Sequence, residues 1–265
     1  MRMTLTRMTL NTLARTLAPA IAALALCGAC LAQGGPPMVT DDPETPGDQH
    51  WEINFGLTGA RSDSRWLLAV PDVDLNYGVG EHLQLKLDMP WAIGTGGSLP
   101  RESGPGTSLA GVKWRFLDGA EDGHGLDAWS VSAYPQVIFS PSNASVNKGI
   151  AAPGHTVFLP LQASRHLGEF AIDVEAGRML SSVDPNAWVA GALLAHACGK
   201  EHECVLEWRS EHLSGGGGPT LLNFGHRWAL TPSTTLLTAA GREIGPGGST
   251  RVSPLLYVGL QWRNP

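Results

Sequence analysis

Three groups of side chains in this sequence have the types and spacing that chemistry needs. The tightest is His196-x-Cys198 followed by His202-x-Cys204, which gathers four zinc-competent groups in one short stretch. The two cysteines also face each other across a predicted hairpin turn, and in an oxidising compartment that spacing makes a disulfide. One short ribbon rarely arranges a closed tetrahedron, so the expectation is a Cys198–Cys204 disulfide and no metal site. The second group is His155, His166, His212 and His226, which lie in or beside predicted strands with Ser and Asp elsewhere. Such a set is the raw material of a Ser–His–acid lipid hydrolase on the outer wall of a barrel. No Gly-x-Ser-x-Gly elbow is present, and polar lumen, interface or loop positions account for these histidines more simply, so no catalytic residue is assigned. The third group is the largest: Asp72, Asp74, Asn76, Lys86, Asp88, Lys113, Arg115, Asp173, Glu175, Glu207, Arg209 and Glu211. Enclosed in a wet pore, these would set which solute charge passes; packed across a closed interior, they would be ion-paired struts. None of the three groups implies a cofactor.

The elements that must hold the third group repeat with a period of two. Trp51, Ile53, Phe55 and Leu57 alternate with Glu52, Asn54, Gly56 and Thr58; Leu83, Leu85, Leu87 and Met89 alternate with Gln84, Lys86 and Asp88. The same pattern recurs through 72–79, 112–116, 129–139 (with Pro135 marking a bulge or unpaired position), 155–166, 169–180, 187–197, 204–212, 219–229, 233–243 and 252–263, giving twelve strands. Connections alternate in length. Short turns fall at 80–82, 167–168, 198–204 and 231–233, with a longer one at 118–126, while loops fall at 60–65, 94–107, 140–153, 181–186, 214–218 and 245–251. The runs Gly94-Thr95-Gly96-Gly97 and Gly215–Gly218 precede no helix, so they read as loop tips and not as phosphate cradles.

Residues 1–32 read as an export signal: Arg2, Arg7 and Arg15 without an acid, an apolar run from Leu17 to Leu26, and small residues before Gln33. Its removal takes three basic residues and no acid, so a net charge of −6 becomes −9. An acidic chain with 18 Lys and Arg against 24 Asp and Glu lacks the cationic face that nucleic-acid binding requires. Residues 33–50 are Pro-rich, acidic and without periodicity; they read as a solvated periplasmic leader outside the first strand, the alternative being that the acidic part at 41–48 plugs the periplasmic mouth.

A soluble sandwich also alternates, but two features favour a membrane. The polar face carries both signs on neighbouring strands, as an enclosed lumen needs. Trp51, Trp66, Trp91, Trp114, Trp188, Trp208, Trp228 and Trp262 fall near predicted strand ends, where indole rings sit at headgroup level. An even strand number with turns on one side and loops on the other is the layout of an outer-membrane barrel with both chain ends in the periplasm. The expected fold is therefore all-β, a single antiparallel transmembrane barrel over 51–265.

The run Pro36-Pro37-Met38-Val39-Thr40-Asp41-Asp42-Pro43-Glu44-Thr45-Pro46-Gly47, with His50-Trp51-Glu52-Ile53-Asn54, Asp74-Leu75-Asn76-Tyr77-Gly78-Val79, Leu83-Gln84-Leu85-Lys86 and Gly111-Val112-Lys113-Trp114-Arg115-Phe116, resembles bacterial outer-membrane barrel transporters grouped with the meta-pathway phenol-degradation family. The resemblance covers most of the chain after the signal and is strongest up to residue 140. It implies passive passage of small, often aromatic, molecules and brings no catalytic motif. The final strand, with Gly259 followed by Trp262, resembles the signal read by the barrel-assembly machinery. Expected partners are that machinery, outer-membrane lipid and lipopolysaccharide, and a small solute. A barrel lipid hydrolase and a closed structural barrel are the alternatives.

Overall fold

The computed structural model describes residues 35–119, 129–245 and 251–264. The expected export signal, most of the 118–126 turn and most of the 245–251 loop lie outside them. The strands are β1 (Trp51–Ser62), β2 (Arg65–Val79), β3 (Leu83–Gly96), β4 (Glu102–Pro105), β5 (Ser108–Asp118), β6 (Ser130–Ala133), β7 (Gln136–Phe139), β8 (His155–Leu167), β9 (Phe170–Ser181), β10 (Ala187–Gly199), β11 (His202–Leu213), β12 (Thr220–Thr231), β13 (Thr234–Ile244) and β14 (Val252–Arg263). One five-residue helix, α1 (Asn143–Asn147), interrupts the loop after β7.

Fourteen stretches make twelve staves, because two staves are broken. β4 and β5 both lie along β3, from Gly94↔Glu102 down to Leu83↔Trp114, with the break at Gly106-Thr107. β6 and β7 both bridge β5 and β8, with the break at Tyr134-Pro135. Proline cannot donate to a ladder, so the break falls where the sequence puts one. Backbone bonding continues across it: Val112 N–H donates to the Pro135 carbonyl and Tyr134 N–H to that of Pro160. The pairing of β1 with β14, from Glu52↔Arg263 to Ser62↔Val252, closes the cylinder, and an even stave number lets that seam be antiparallel.

Inside and outside are inverted relative to a water-soluble protein. On β11, Leu206 is 55 % exposed while its neighbour Glu207 is 3 % exposed, and the same alternation runs round the wall. The exposed belt includes Phe55, Leu85, Val112, Leu161, Phe224 and Leu260, while Asn54, Asn76, Gln84, Gln162 and Glu175 are buried. A continuous apolar exterior of this kind is unsustainable in water and suits acyl chains. Trp51, Trp114, Trp129, Trp228 and Trp262 ring the short-turn end, and Trp66, Trp91 and Trp188 lie toward the other. Trp208 departs from that expectation, standing mid-stave between Ala192 and Leu222, where it serves as ordinary lipid-facing bulk.

Short turns at 80–82, 168–169, 200–201 and 232–233 share one end. At the opposite end the strands run farther than their polar composition indicated: β1 and β2 leave only 63–64 between them, and β3 and β4 fill half of 94–107. The largest departure is the leader. It is not a solvated tether. Thr40 is 0 % exposed, and Met38, Asp41 and Asp42 are buried with it, because the segment before β1 turns back into the barrel. Composition alone could not show this, since acids and prolines suit open water as well as a cationic cleft.

Candidate functional site

The wall offers the leader two kinds of anchor. On β5 the period of two turns Lys113 and Arg115 inward. Lys113 Nζ lies 3.1 Å from Asp41 Oδ1 and 3.7 Å from Asp42 Oδ1, donates to the Glu44 carbonyl at 3.2 Å, and stands 5.0 Å from the centre of the Tyr134 ring. Arg115 donates to Glu44 Oε2 at 2.7 Å and to the Glu81 carbonyl, and pairs with Asp118 at 3.0 Å. Across the lumen on β11, the Glu207 carboxylate accepts the backbone N–H groups of Val39 and Thr40 at 3.0 and 2.6 Å. Cationic wall meets leader carboxylate on one side, and anionic wall meets leader amide on the other. Three inward glycines make the remaining room. A Cβ at Gly191 would strike Thr40, one at Gly225 would strike Met38, and one at Gly78 would strike the Gly47 carbonyl.

Burial alone would raise the Asp41 carboxyl, but Lys113 and then Lys86 outweigh it and hold Asp41 below the ordinary aspartate range. Glu44 goes the other way: burial and the neighbouring Asp42 push it up despite Arg115. At the mouth, Asp48 is held low by hydrogen bonds from the Gln49 side chain and the Gly80 N–H.

The other wall charges mostly answer one another. Lys86 pairs with Asp74 at 3.0 Å, Arg209 with Glu175, and Arg227 with Glu203 at 2.7 Å. Gln162 links Ser132 to Glu175, and Gln84 donates to Asn76 at 2.7 Å. Asp72, Asp88 and Glu211 have no ion-pair partner among the described residues; Asp72 accepts from Thr58 Oγ1 at 2.9 Å. Asp173, buried, has no hydrogen-bond partner for either carboxylate oxygen. All twelve candidate residues thus lie on the polar inner phase, some as struts and three, Lys113, Arg115 and Glu207, as leader anchors. Sequence reading missed Arg227 and Glu203, although the alternation in β11 and β12 could have found them, and it missed the leader acids as partners.

Between the leader tip and the long-loop end lies a cavity of about 350 Å³. Its floor is Pro36, Pro37 and Met38; Asp72, Asp88 and Glu211 line it together with Leu109, Ile138, Phe158 and Met179, Leu109 standing beside Asp88 in the ladder. These apolar residues share the inward phase of Lys113, Gln136, Gln162 and Glu175 in their own strands, so the period of two places them inside although their type does not suit a polar lumen. Above, the loop carrying α1 folds back so that buried Ile150 packs over Gly94 and Gly104.

The Cys198–Cys204 disulfide is present at the β10–β11 hairpin, with Cα atoms 5.8 Å apart. His202 and His226 share a 3.1 Å hydrogen bond on the outer face, and His196 stacks on Phe170. No group of three potential metal ligands occurs among the described residues.

No protein-family model and no curated protein matches the chain. Solved structures do. The COG4313 outer membrane channel from Pseudomonas putida F1 is 14% identical with a TM-score of 0.65, over 84% of this chain and 98% of that one. The KdgM porin and the NanC porin are 8% and 9% identical, each with a TM-score of 0.54 over 80% of this chain and 98% of theirs. At such identities the likeness is one of fold, and the fold is that of outer-membrane porins and channels.

Proposed function

We propose that the protein is an outer-membrane channel that passes small hydrophobic or aromatic solutes passively, with residues 35–50 as an internal constriction. The observation that carries this reading is the leader itself. It is seated by ion pairs and hydrogen bonds that can be remade, next to a cavity whose floor it forms. A barrel meant only as a strut has no need of a removable filling. The apolar lining at Leu109, Ile138, Phe158 and Met179 suits hydrophobic solutes, in keeping with the resemblance to phenol-pathway transporters.

In this reading the signal at 1–32 is removed, the short-turn end and both chain ends face the periplasm, and the assembly machinery inserts residues 51–265 among lipid and lipopolysaccharide. Asp72, Asp74, Asn76, Lys86, Asp88, Asp173, Glu175, Arg209 and Glu211 line the pathway, while Lys113, Arg115 and Glu207 hold the constriction. No catalytic role is assigned. A closed structural barrel is the competing reading, favoured by the same leader contacts. Planar-bilayer recordings of the mature chain and of a chain lacking 35–48 separate the two. The channel reading expects a small conductance that rises severalfold on deletion. A folded barrel silent in both forms overturns it.

A further inference from the structure

We propose that the cavity beyond the leader is a binding site for solutes that join an apolar body to a protonated amine, so that the channel favours amphipathic cations. This rests on the channel reading and names its solute class.

The charges of the lining do not cancel. Lys86 is taken by Asp74 and Arg209 by Glu175, while Asp41 belongs to Lys113 beneath. That leaves Asp72, Asp88 and Glu211 facing the cavity without a cation, and no lining cation without an acid. An entering anion meets an excess of acidic groups, and an entering ammonium meets carboxyl groups whose nearest cations, Lys86 and Arg209, are already bound by Asp74 and Glu175.

Independent atoms point the same way. Tyr134 and Asp74 line the cavity at 1 % and 5 % exposure, and Tyr134 Oη and Asp74 Oδ1 have no hydrogen-bond partner; nor does Asp88 Oδ1. Buried polar atoms are normally paired, so oxygens left over around one cavity indicate a donor that the protein does not supply. The carboxylate oxygens among them are acceptors when ionised, and an ammonium offers three donors and no acceptor. The rings of Tyr134, Phe158 and Tyr257 add faces that attract a cation. Beside the acids, the apolar side chains of Leu109, Ile138, Phe158 and Met179 accept a hydrocarbon body that a metal ion or an inorganic cation does not have. The ligand must therefore carry both parts.

The test uses the full mature chain and three probes that share a ring and a two-carbon chain: 2-phenylethylammonium, 2-phenylethanol and phenylacetate. Calorimetric titration onto the protein in detergent reads the site directly, and block of the KCl current in planar bilayers reads it within the pore. The amine is expected to bind and block at a concentration at least about tenfold below the other two, the difference that one charge-assisted hydrogen bond makes. The Asp72→Asn, Asp88→Asn double variant should lose that preference about tenfold, block being read against the variant's own KCl current. Glu211→Gln, on a different stave, should lower the preference alone, which keeps the test informative if the double variant does not fold. Equal binding of the three probes, tighter binding of phenylacetate, or variants with the wild-type preference would overturn the proposal. A protein that binds the amine selectively yet carries no KCl current would instead overturn the channel reading and leave the site standing.

Discussion

Lys113→Met is the substitution that bears most directly on the leader. It removes the ammonium that stands 3.1 Å from Asp41 and 3.7 Å from Asp42, all three groups being buried, and it keeps the length of the side chain. Taking one partner from a buried ion pair costs about 3–5 kcal/mol when the other charge must stay where it is. Here the strain has an outlet, since withdrawal of the leader returns Asp41 to water. Because the lumen admits some water, the low end of that range is the appropriate figure. About 3 kcal/mol shifts the ratio of seated to withdrawn leader by roughly 100-fold. A wild-type histogram dominated by one small conductance should therefore become one in which large openings are frequent. Lys113→Arg, which keeps the charge, should stay close to wild type, and heat-modifiable migration on a gel verifies that each barrel has closed. A closed Lys113→Met barrel with the wild-type histogram would refute the claim that this ion pair retains the leader.

Three further expectations can be checked separately. Gly78→Ala puts a methyl group onto the Gly47 carbonyl, a backbone atom that cannot swing aside, so the root of the leader should be displaced and its cleavage by added protease should quicken at least tenfold. Glu44 has its carboxyl raised by burial and Asp42, so the seated state binds a proton more tightly than the withdrawn one. Falling pH from neutrality toward the ordinary glutamate value of 4.5 should then favour seating and suppress large openings, while Asp41, held low, keeps its charge. Glu44→Gln should remove this pH dependence, and openings that increase on acidification would contradict it. Leu206→Arg places a charge at mid-wall on the exposed face and should cost about 2–4 kcal/mol in urea-titrated folding into vesicles; a neutral outcome would mean that this face does not meet lipid.

The barrel was legible because the alternation is a property of single staves. Leu206, Trp208, Glu207 and Arg209 betray their phase without knowledge of any neighbour, and turn signals fix the hairpins. Even Pro135 announced its break. The disulfide was legible for the same reason, as Cys198 and Cys204 are close in sequence. What sequence could not show depends on contacts between distant parts. Asp41 and Lys113 are 72 positions apart, and Thr40 and Glu207 are 167 apart; nothing local tells an acidic run bound for a cleft from one bound for water. Ile138 and Phe158 fall in the inward phase with Gln136 and Gln162, and only their apolar type, set in a face otherwise polar, kept them from being read as lumen residues.

The seat of the leader is divided among staves from both halves of the chain: Gly78 on β2 and Lys113 on β5, then Gly191, Glu207 and Gly225 on β10 to β12. No partial sheet contains it. The leader, though it precedes β1, can therefore be seated only after β2 to β12 have come together, and its occupancy of the lumen doubles as a report on that pairing. An outer wall that inserted before this step would be a hole in the cell's permeability barrier. Chemistry that delays closure should be felt first as leakage, before any loss of the barrel itself.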